Sequence, residues 1–289
     1  MNISNGTNAI SANQWSTFMR GMNTSVAPWS GVILGTSVTA LTALGVYHWS
    51  QSDSSEFEEA SEKVAFNLVK DKVCRAYGYV IGGFALTGAT AIASHVSGIS
   101  RSILQNPYLT IPIFLGSCIS LVATMTINKE NVKAKHVAWG IFNTTMGMAL
   151  SPIGYLNQKI VAQAAAFSLG LGGILTTTVF LSPNKKFLEM EAPLMAALTS
   201  ISIASTIALF FPASAFAYGV DRVSLYGGLA IFTGLFMSST QRLVQEAETQ
   251  TDKQFDAITS SMNIYLDGLN IFLRILRIML ENQEEKAKS

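Results

Sequence analysis

The sequence predicts an all-α protein that crosses a membrane several times. Mean hydropathy is +0.35, and only 13% of the 289 residues are charged, about half of the roughly 25% that soluble domains carry. The charges cluster between eight apolar runs, each near the ~20 residues that an α-helix needs to cross the hydrocarbon core. Runs such as 167–181 carry no charge on any face, which argues against a soluble bundle of amphipathic helices.

The eight runs share an apolar interior and polar or aromatic ends. Their approximate spans are 28–49, 77–95, 109–127, 137–153, 160–181, 193–211, 223–238 and 258–280. Trp29, Trp49, Tyr108 and Tyr155 fall near run ends, where aromatic residues mark the membrane interface. We therefore read each run as one membrane helix.

The runs divide the chain into five parts. They are an N-terminal tail (1–27), an extra transmembrane helix (28–49), a charged linker (50–76), the main transmembrane domain (77–280) and a polar C-terminal tail (281–289). The N-terminal tail lacks acidic residues but contains one arginine, Arg20. It therefore has only some of the traits of an import signal.

Lysine and arginine are distributed unevenly between alternate loops. The first, third, fifth and seventh loops hold eleven, whereas the N-terminal tail and the even-numbered loops hold four. Basic loops remain on the cytoplasmic side of a membrane. We expect the odd-numbered loops to face the cytoplasm or, in a mitochondrion, the matrix, and the N-terminus to face the other side.

Several function classes are disfavoured by composition. A net charge of +1 with no sustained basic patch gives no reason to expect nucleic acid as a partner. Two cysteines, Cys74 and Cys118, are too few for a disulfide framework. The histidines His48, His95 and His136 lie far apart and lack the spacing of metal ligands. We expect no cofactor and no metal, and without a catalytic set we expect no enzyme.

The last run differs from a lipid-facing span. Asp267 is the only acidic residue inside any run, and such a group costs about 2.5–3.5 kcal/mol at a helix centre on insertion scales. Asn263, Asn270, Arg274 and Arg277 share its helical stripe. The helix therefore either lines an aqueous path inside a bundle or lies at the interface. Arg274 is about 10 Å away along the helix, so we expect the partner of Asp267 on another helix.

Short motifs near the C-terminus resemble a known family. The matching stretches are YGG at 226–228, STQR at 239–242 and NIYLDGLNIFLR at 263–274. They resemble the C-terminal signature of the Bax inhibitor-1 (TMBIM) family. Stretches at 72–79, 135–139 and 185–194 are similar to its mitochondrial branch, that of the growth-hormone-inducible transmembrane proteins.

The resemblance implies a bundle of six helices around a central C-terminal helix, with one extra N-terminal transmembrane helix. A re-entrant path for the central helix is one alternative, and it would place the tail 281–289 on the basic side. The implied function is a role in calcium/proton balance, cristae organisation and apoptosis regulation. The implied partners are the lipid bilayer, calcium ions and protons. The implied location is the mitochondrial inner membrane, with the endoplasmic reticulum or another endomembrane as the alternative.

The resemblance also implies a role for Asp267, and the sequence departs from it. In the family, aspartates in the last two segments form a proton-sharing, pH-sensitive latch. Asp267 matches the second position, whereas Ser239 occupies the first. A hydroxyl can donate a hydrogen bond to a carboxylate but cannot repel it or share an acid proton. We therefore expect the latch to be blunted or absent, and the binding of hard cations to be weaker.

Two functional hypotheses remain open. In the first, an ion or proton path runs along a set of polar residues on the last two segments, namely Asp267, Ser239, Asn263, Asn270 and Arg274. In the second, the chain is a divergent, non-conducting paralogue that acts through structural or protein-interaction roles. The replacement at Ser239 favours the second hypothesis.

Overall fold

The computed structural model describes residues 59–182 and 186–288. The predicted N-terminal tail, the extra helix at 28–49 and the first part of the charged linker lie outside these residues. The described residues form α-helices and short 3-10 turns, with no strand among them. The predicted class, an all-α polytopic membrane protein, is confirmed.

The helices follow one another with short connections. Within the described ranges they are α1 (Glu59–Val96), α2 (Ile99–Gln105), α3 (Thr110–Thr126), α4 (Val132–Leu150), α5 (Gln158–Phe180), α6 (Lys186–Glu189), α7 (Glu191–Ala208), α8 (Ala215–Thr249) and α9 (Ala257–Lys288). Turns of 3-10 helix precede α3 and follow α4. Because α1 begins at Glu59, the second part of the predicted linker is helical and continuous with the first described span.

Four stretches of the described chain are long and apolar enough to cross a membrane. They are Asn67–Val96, Gln158–Phe180, Lys186–Ala208 and Ala215–Thr249. The pair α2 and α3, bent by 115°, makes a fifth if it is taken as one broken span. α4 and α9 are not among these stretches, and both bury polar side chains against neighbouring helices.

The C-terminal helix α9 lies at the centre of the bundle. It packs against α1, α5 and α8, and both clusters of buried apolar side chains include residues from it. Ile264, Leu269 and Leu276 on α9 are fully buried. A helix covered by protein on most sides needs no continuous apolar surface, which explains how α9 carries a polar stripe.

The helix α9 runs without interruption over 32 residues, about 48 Å at 1.5 Å per residue. Near its end, Glu281 pairs with Arg222 at 2.9 Å, close to the start of α8. Its first turn lies instead where α8 ends. The alternative of a re-entrant last helix is therefore wrong for this structure. The C-terminal tail leaves the bundle at the end opposite the basic loops, because α9 does not turn back.

The basic loops come together at one end, which we call the basic end. There Lys72 of α1 is buried, and its Nζ donates hydrogen bonds to the carbonyls of Ala247, at 2.9 Å, and Gln250, at 2.6 Å. Both carbonyls lie at the C-terminal end of α8, where no backbone N–H of the same helix is available to donate to them. Lys72, which the loop count treats as a marker of orientation, thus also fixes the end of α8.

Arg75 and Asp252 form an ion pair that ties the loop between α8 and α9 to α1. The Arg75 guanidinium donates a hydrogen bond to Asp252 and lowers the pKa of that carboxyl. The stabilisation from a lowered carboxyl pKa is present above the ordinary pKa of the group and is lost as pH falls through the lowered value. This tie therefore persists at neutral pH.

Asp256 sets where α9 begins. Its carboxylate accepts hydrogen bonds from the backbone N–H of Thr259, at 3.2 Å, and from the Thr259 hydroxyl, at 2.9 Å, as a helix N-cap does. It also pairs with Lys135 of α4, which is buried and donates to the Ile127 carbonyl at 3.0 Å. Breaking a buried ion pair costs about 3–5 kcal/mol, so this pair holds the first turn of α9 against α4.

Gly147 allows α1 and α4 to approach closely. A Cβ atom at this position would lie 2.5 Å from the Thr87 carbonyl oxygen and 2.7 Å from Thr90 Cβ. The nearer obstacle is backbone, which cannot rotate away. At Gly140, two turns earlier on α4, a Cβ atom would meet nothing within 4 Å.

We predict that Gly147→Ala destabilises the protein and that Gly140→Ala does not. Overpacking a tight site costs about 1–3 kcal/mol, whereas alanine is favoured over glycine by about 1 kcal/mol within an unobstructed helix. The measurement is the midpoint of thermal unfolding in detergent. Equal midpoints for the two variants would show that α1 and α4 are not in close contact at Gly147.

Candidate functional site

Asp267 lies on α9 against α8. Its side chain is almost fully buried, with the residue 7% exposed. The Ser239 hydroxyl on α8 donates a hydrogen bond of 2.7 Å to Asp267 Oδ2. A hydrogen bond to an ionised acceptor is stronger than one between neutral groups. Ser239, which departs from the family pattern, thus still contacts the Asp267 carboxylate through its hydroxyl.

The polar stripe of α9 continues beyond Asp267. Asn270 is buried, and its side-chain amide donates to the Leu266 carbonyl at 2.8 Å. Arg274 Nη1 donates to Asn270 Oδ1 at 3.2 Å, and its Nε donates to the Ser224 carbonyl on α8 at 3.4 Å. Asn263, one turn before Asp267, is half-buried. The side chains of Asp267, Asn270 and Arg274 therefore form the α9 face that meets α8 and its neighbours.

Arg274 fits into this interface because Gly228 faces it. A Cβ atom on Gly228 would lie 2.3 Å from Arg274 Nε. The guanidinium also lies over the Phe232 ring, 4.4 Å from the ring centroid, at a distance where a cation is attracted to an aromatic face. Gly228, the second glycine of the YGG motif, leaves room for the Arg274 side chain, and Phe232 one turn later stacks on its guanidinium.

A network of charges closes the end of the bundle opposite the basic end. Arg277 pairs with Asp221 of α8 and with Glu281 at 3.0 Å, and Glu281 also pairs with Arg222 at 2.9 Å. The side chains involved are largely or partly buried. Because each charge is linked to the next, this end is held by several contacts rather than one.

The residue before Ser239 on α8 faces a different helix. Ser238 is fully buried, and its hydroxyl donates to Glu191 Oε2, at the start of α7, at 3.2 Å. The other oxygen of Glu191 pairs with Arg242. Neighbouring residues on a helix point in directions about 100° apart. Ser238 and Ser239 therefore connect α8 to acidic groups on α7 and α9, respectively.

Glu191 is not among the site residues that the sequence suggests. Its carboxylate accepts a hydrogen bond from Ser238, next to the serine that bonds Asp267. Position 239 itself supplies no negative charge, as the sequence predicts, but α7 brings a carboxylate to the neighbouring serine from outside the last two segments. An acidic residue at the first turn of an apolar run was the available signal, but it also fits a favourable interaction with the helix N-terminus.

Together these side chains form what we call the polar column, which runs between α7, α8 and α9. Its members are Arg242, Glu191, Ser238, Ser239, Asp267, Asn270, Arg274, Arg277 and Asp221. Within the described residues, no group of three or more His, Cys, Asp and Glu side chains has the arrangement of a metal centre. The column contains one deeply buried carboxylate, Asp267, bonded to a hydroxyl.

A second polar network fixes α9 on its other side. The Tyr265 hydroxyl lies 2.9 Å from Thr87 Oγ1 of α1. The Thr87 hydroxyl in turn donates a hydrogen bond of 3.2 Å to Asn143 Oδ1 of α4. All three side chains are buried. Because Tyr265 and Asp267 are two residues apart, this network determines the rotation of α9 that presents Asp267 to α8.

The fold and the site define a polytopic α-helical membrane protein with a buried acidic residue on a protein-covered central helix. A family model described as Inhibitor of apoptosis-promoting Bax1 matches residues 69–284. The chain belongs to the Bax inhibitor-1 family. The matched range covers α8 and α9 as far as residue 284, and with them both positions of the Ser239–Asp267 pair.

Three relatives are similar in sequence over more than two thirds of the chain. The chain is 28% identical to growth hormone-inducible transmembrane protein of Rattus norvegicus, over 88% of this chain and 75% of the rat protein. It is 25% identical to Bax inhibitor 1 of Bos taurus, over 72% and 87%, respectively. It is 24% identical to the Golgi anti-apoptotic protein of vaccinia virus strain Lister, over 71% and 83%. No solved structure matches the chain significantly.

We predict that Ser239→Ala destabilises the protein more than Ser202→Ala does. The first substitution removes the hydroxyl that donates to a buried carboxyl group and should cost about 1–3 kcal/mol. The Ser202 hydroxyl bonds only to the Leu198 carbonyl of its own helix, at 2.8 Å. The midpoint of thermal unfolding in detergent measures the difference. A midpoint for Ser239→Ala at or above that of Ser202→Ala would show that the hydroxyl contributes nothing at Asp267.

Proposed function

We propose that this member of the Bax inhibitor-1 family is a non-enzymatic membrane protein that moves cations, with calcium and protons as the candidates, through exchange at Asp267. The observation that carries the proposal is the partly buried hydrogen bond between Ser239 and the buried Asp267 within the polar column. An acidic residue inside a membrane bundle is costly and is typically retained for a function. The neighbouring carboxylate of Glu191 adds to the negative potential that attracts a cation.

The type of partner at Asp267 also supports exchange. A serine hydroxyl can rotate away without leaving a buried charge of its own, whereas a lysine or arginine partner could not. The hydrogen bond to Ser239 can therefore be replaced by a bond to a proton, a water molecule or a metal cation. Hard cations bind oxygen ligands, and carboxylate and hydroxyl oxygens are the ligands available at this point of the column.

A second candidate function, a non-conducting structural role, is favoured by Arg274. Its guanidinium lies in the column between Asp267 and the end opposite the basic end, where it contacts Asn270 and Phe232. A fixed positive charge in a narrow path opposes the passage of other cations. Under this hypothesis the polar column serves to assemble α7, α8 and α9, and the protein acts through its partners.

Roles in apoptosis regulation and in cristae organisation are part of the same proposal. Two relatives carry names that refer to Bax inhibition or to anti-apoptotic action. These similarities support a function at the level of cell death. A protein that changes cation balance across an internal membrane provides a physical route to both effects.

Flux measurements on liposomes containing the purified full chain test the proposed function. We predict calcium entry that Asp267→Asn abolishes, because the amide has no charge to bind the cation. Asp71→Asn is the matched control. Asp71 is a well-exposed carboxylate on α1, and its loss should leave flux unchanged.

The two candidate functions give different results in the same assay. If the natural chain shows no calcium flux at any pH while Ser239→Asp conducts, the natural protein is non-conducting and the structural role holds. If neither conducts, the column is not a path for calcium in either form. Calcium flux that persists in Asp267→Asn would exclude Asp267 as the exchange site.

We propose the mitochondrial inner membrane as the location, with an endomembrane as the alternative. The similarity to growth hormone-inducible transmembrane protein over 88% of this chain supports it. The basic end would then face the matrix, and α9 would deliver the C-terminus to the intermembrane space.

Imaging and protease protection test location and orientation together. We predict that a C-terminal fusion gives a mitochondrial signal. We further predict that protease added to mitoplasts removes a C-terminal tag but not a tag inserted at 128–131, between α3 and α4 at the basic end. A reticular signal would exclude the mitochondrial location. Protection of the C-terminal tag together with loss of the loop tag would reverse the orientation.

A further inference from the structure

We propose that the Glu191–Arg242 ion pair closes the route from the basic end to Asp267, and that Asp267 exchanges with that side when this pair opens. The inference rests on the proposed role of Asp267 as the exchange site, and it assigns Glu191 and Arg242 as positioning residues that control access to it. Neither residue lies among the path candidates that the sequence suggests.

Exposure along the polar column shows the order of the contacts. At the basic end, the Arg242 side chain is 44% exposed and that of Glu191 is 28% exposed. Ser238, which donates to Glu191, is fully buried, and Asp267 is 7% exposed. The ion pair thus meets solvent on one side and the buried Ser238 on the other. A charge entering along the column from this side encounters the pair before it encounters Asp267.

The contacts also show how the pair is coupled to the site. Glu191 uses one oxygen for Arg242 and the other for Ser238, at 3.2 Å. Ser239, the next residue on α8, holds Asp267 at 2.7 Å. When Arg242 leaves, Glu191 carries an unpaired negative charge next to the two serines. That charge attracts an incoming cation and repels the Asp267 carboxylate, with which it already interacts.

The two ends of the column are closed to different degrees. On the basic side, the column itself ends in the Glu191–Arg242 pair, whose arginine is half-exposed, and exposed pairs of this kind are weak because water competes for both charges. At the opposite end, Arg277 holds both Asp221 and Glu281, and Glu281 also holds Arg222. Opening that end requires several contacts to break together. The column should therefore open more often at Glu191 and Arg242 than at Arg277.

Carbodiimide labelling of Asp267 measures access directly. The purified full chain in detergent is treated with a water-soluble carbodiimide and an amine, and the modified fraction of the peptide containing Asp267 is followed over time by mass spectrometry. We expect Glu191→Gln and Arg242→Gln each to raise the labelling rate about two- to fivefold, the factor that corresponds to the loss of one exposed ion pair.

Two further variants make the experiment specific. The charge exchange Glu191→Arg with Arg242→Glu re-forms a pair of opposite charges and should return the labelling rate toward that of the natural chain. Asp221→Asn removes one partner of Arg277 but leaves Glu281, so it should change the rate little. Thermal unfolding midpoints of all variants show whether a rise in labelling reflects unfolding, and the charge exchange controls for this because it alters the same two positions.

The results separate this inference from the proposed function. Unchanged labelling in both single variants, or an equal rise in Asp221→Asn, would overturn the closure at the basic end. If the labelling rate of Asp267 rises when the Glu191–Arg242 pair is removed but the chain shows no calcium flux, the pair closes the route and the proposed conduction is rejected. If calcium flux depends on Asp267 but the labelling rate of Asp267 does not change when the pair is removed, conduction is supported and the closure by this pair is rejected.

Discussion

The requirement to satisfy a buried carboxyl group shapes the C-terminal half of this protein. Asp267 lies on a helix that protein covers on most sides, where water cannot solvate the charge. The Ser239 hydroxyl at 2.7 Å provides one contact. Farther along α9, Asn270 and Arg274 bond within the helix or to α8, and Arg277 pairs with Asp221 of α8. The interface between α8 and α9 is therefore polar through much of its length, in a bundle whose outer surface is apolar.

This interface depends on contacts elsewhere that fix the position and rotation of α9. At the basic end, Lys135 and Asp256 set its first turn, and Lys72 holds the end of α8 that precedes it. In the middle, Tyr265 bonds to α1 and thereby sets the face that α9 turns to α8. The lysines that indicate orientation in the sequence thus have a second role, since two of them are buried structural groups.

A serine at the first family position changes the chemistry of the site without isolating Asp267. The neighbouring Ser238 connects to Glu191, so negative charge reaches the site from α7 rather than from α8. An arginine on α8 balances Glu191 at the surface. The site therefore contains two acidic groups on different helices, each held by a serine of the same dipeptide, and only one of them is paired with a fixed cation.

The sequence by itself determined the all-α membrane class, the loop alternation and the prominence of Asp267, because hydropathy and charge spacing are local properties of the chain. It also indicated the α9 stripe, since helical periodicity fixes which residues share a face. Only the tertiary structure decided which groups meet that stripe. Glu191 is far from Asp267 in sequence, and the path of α9, straight rather than re-entrant, depends on its packing against α1, α5 and α8. Contacts between distant helices arise from packing of the whole bundle, which no local pattern records.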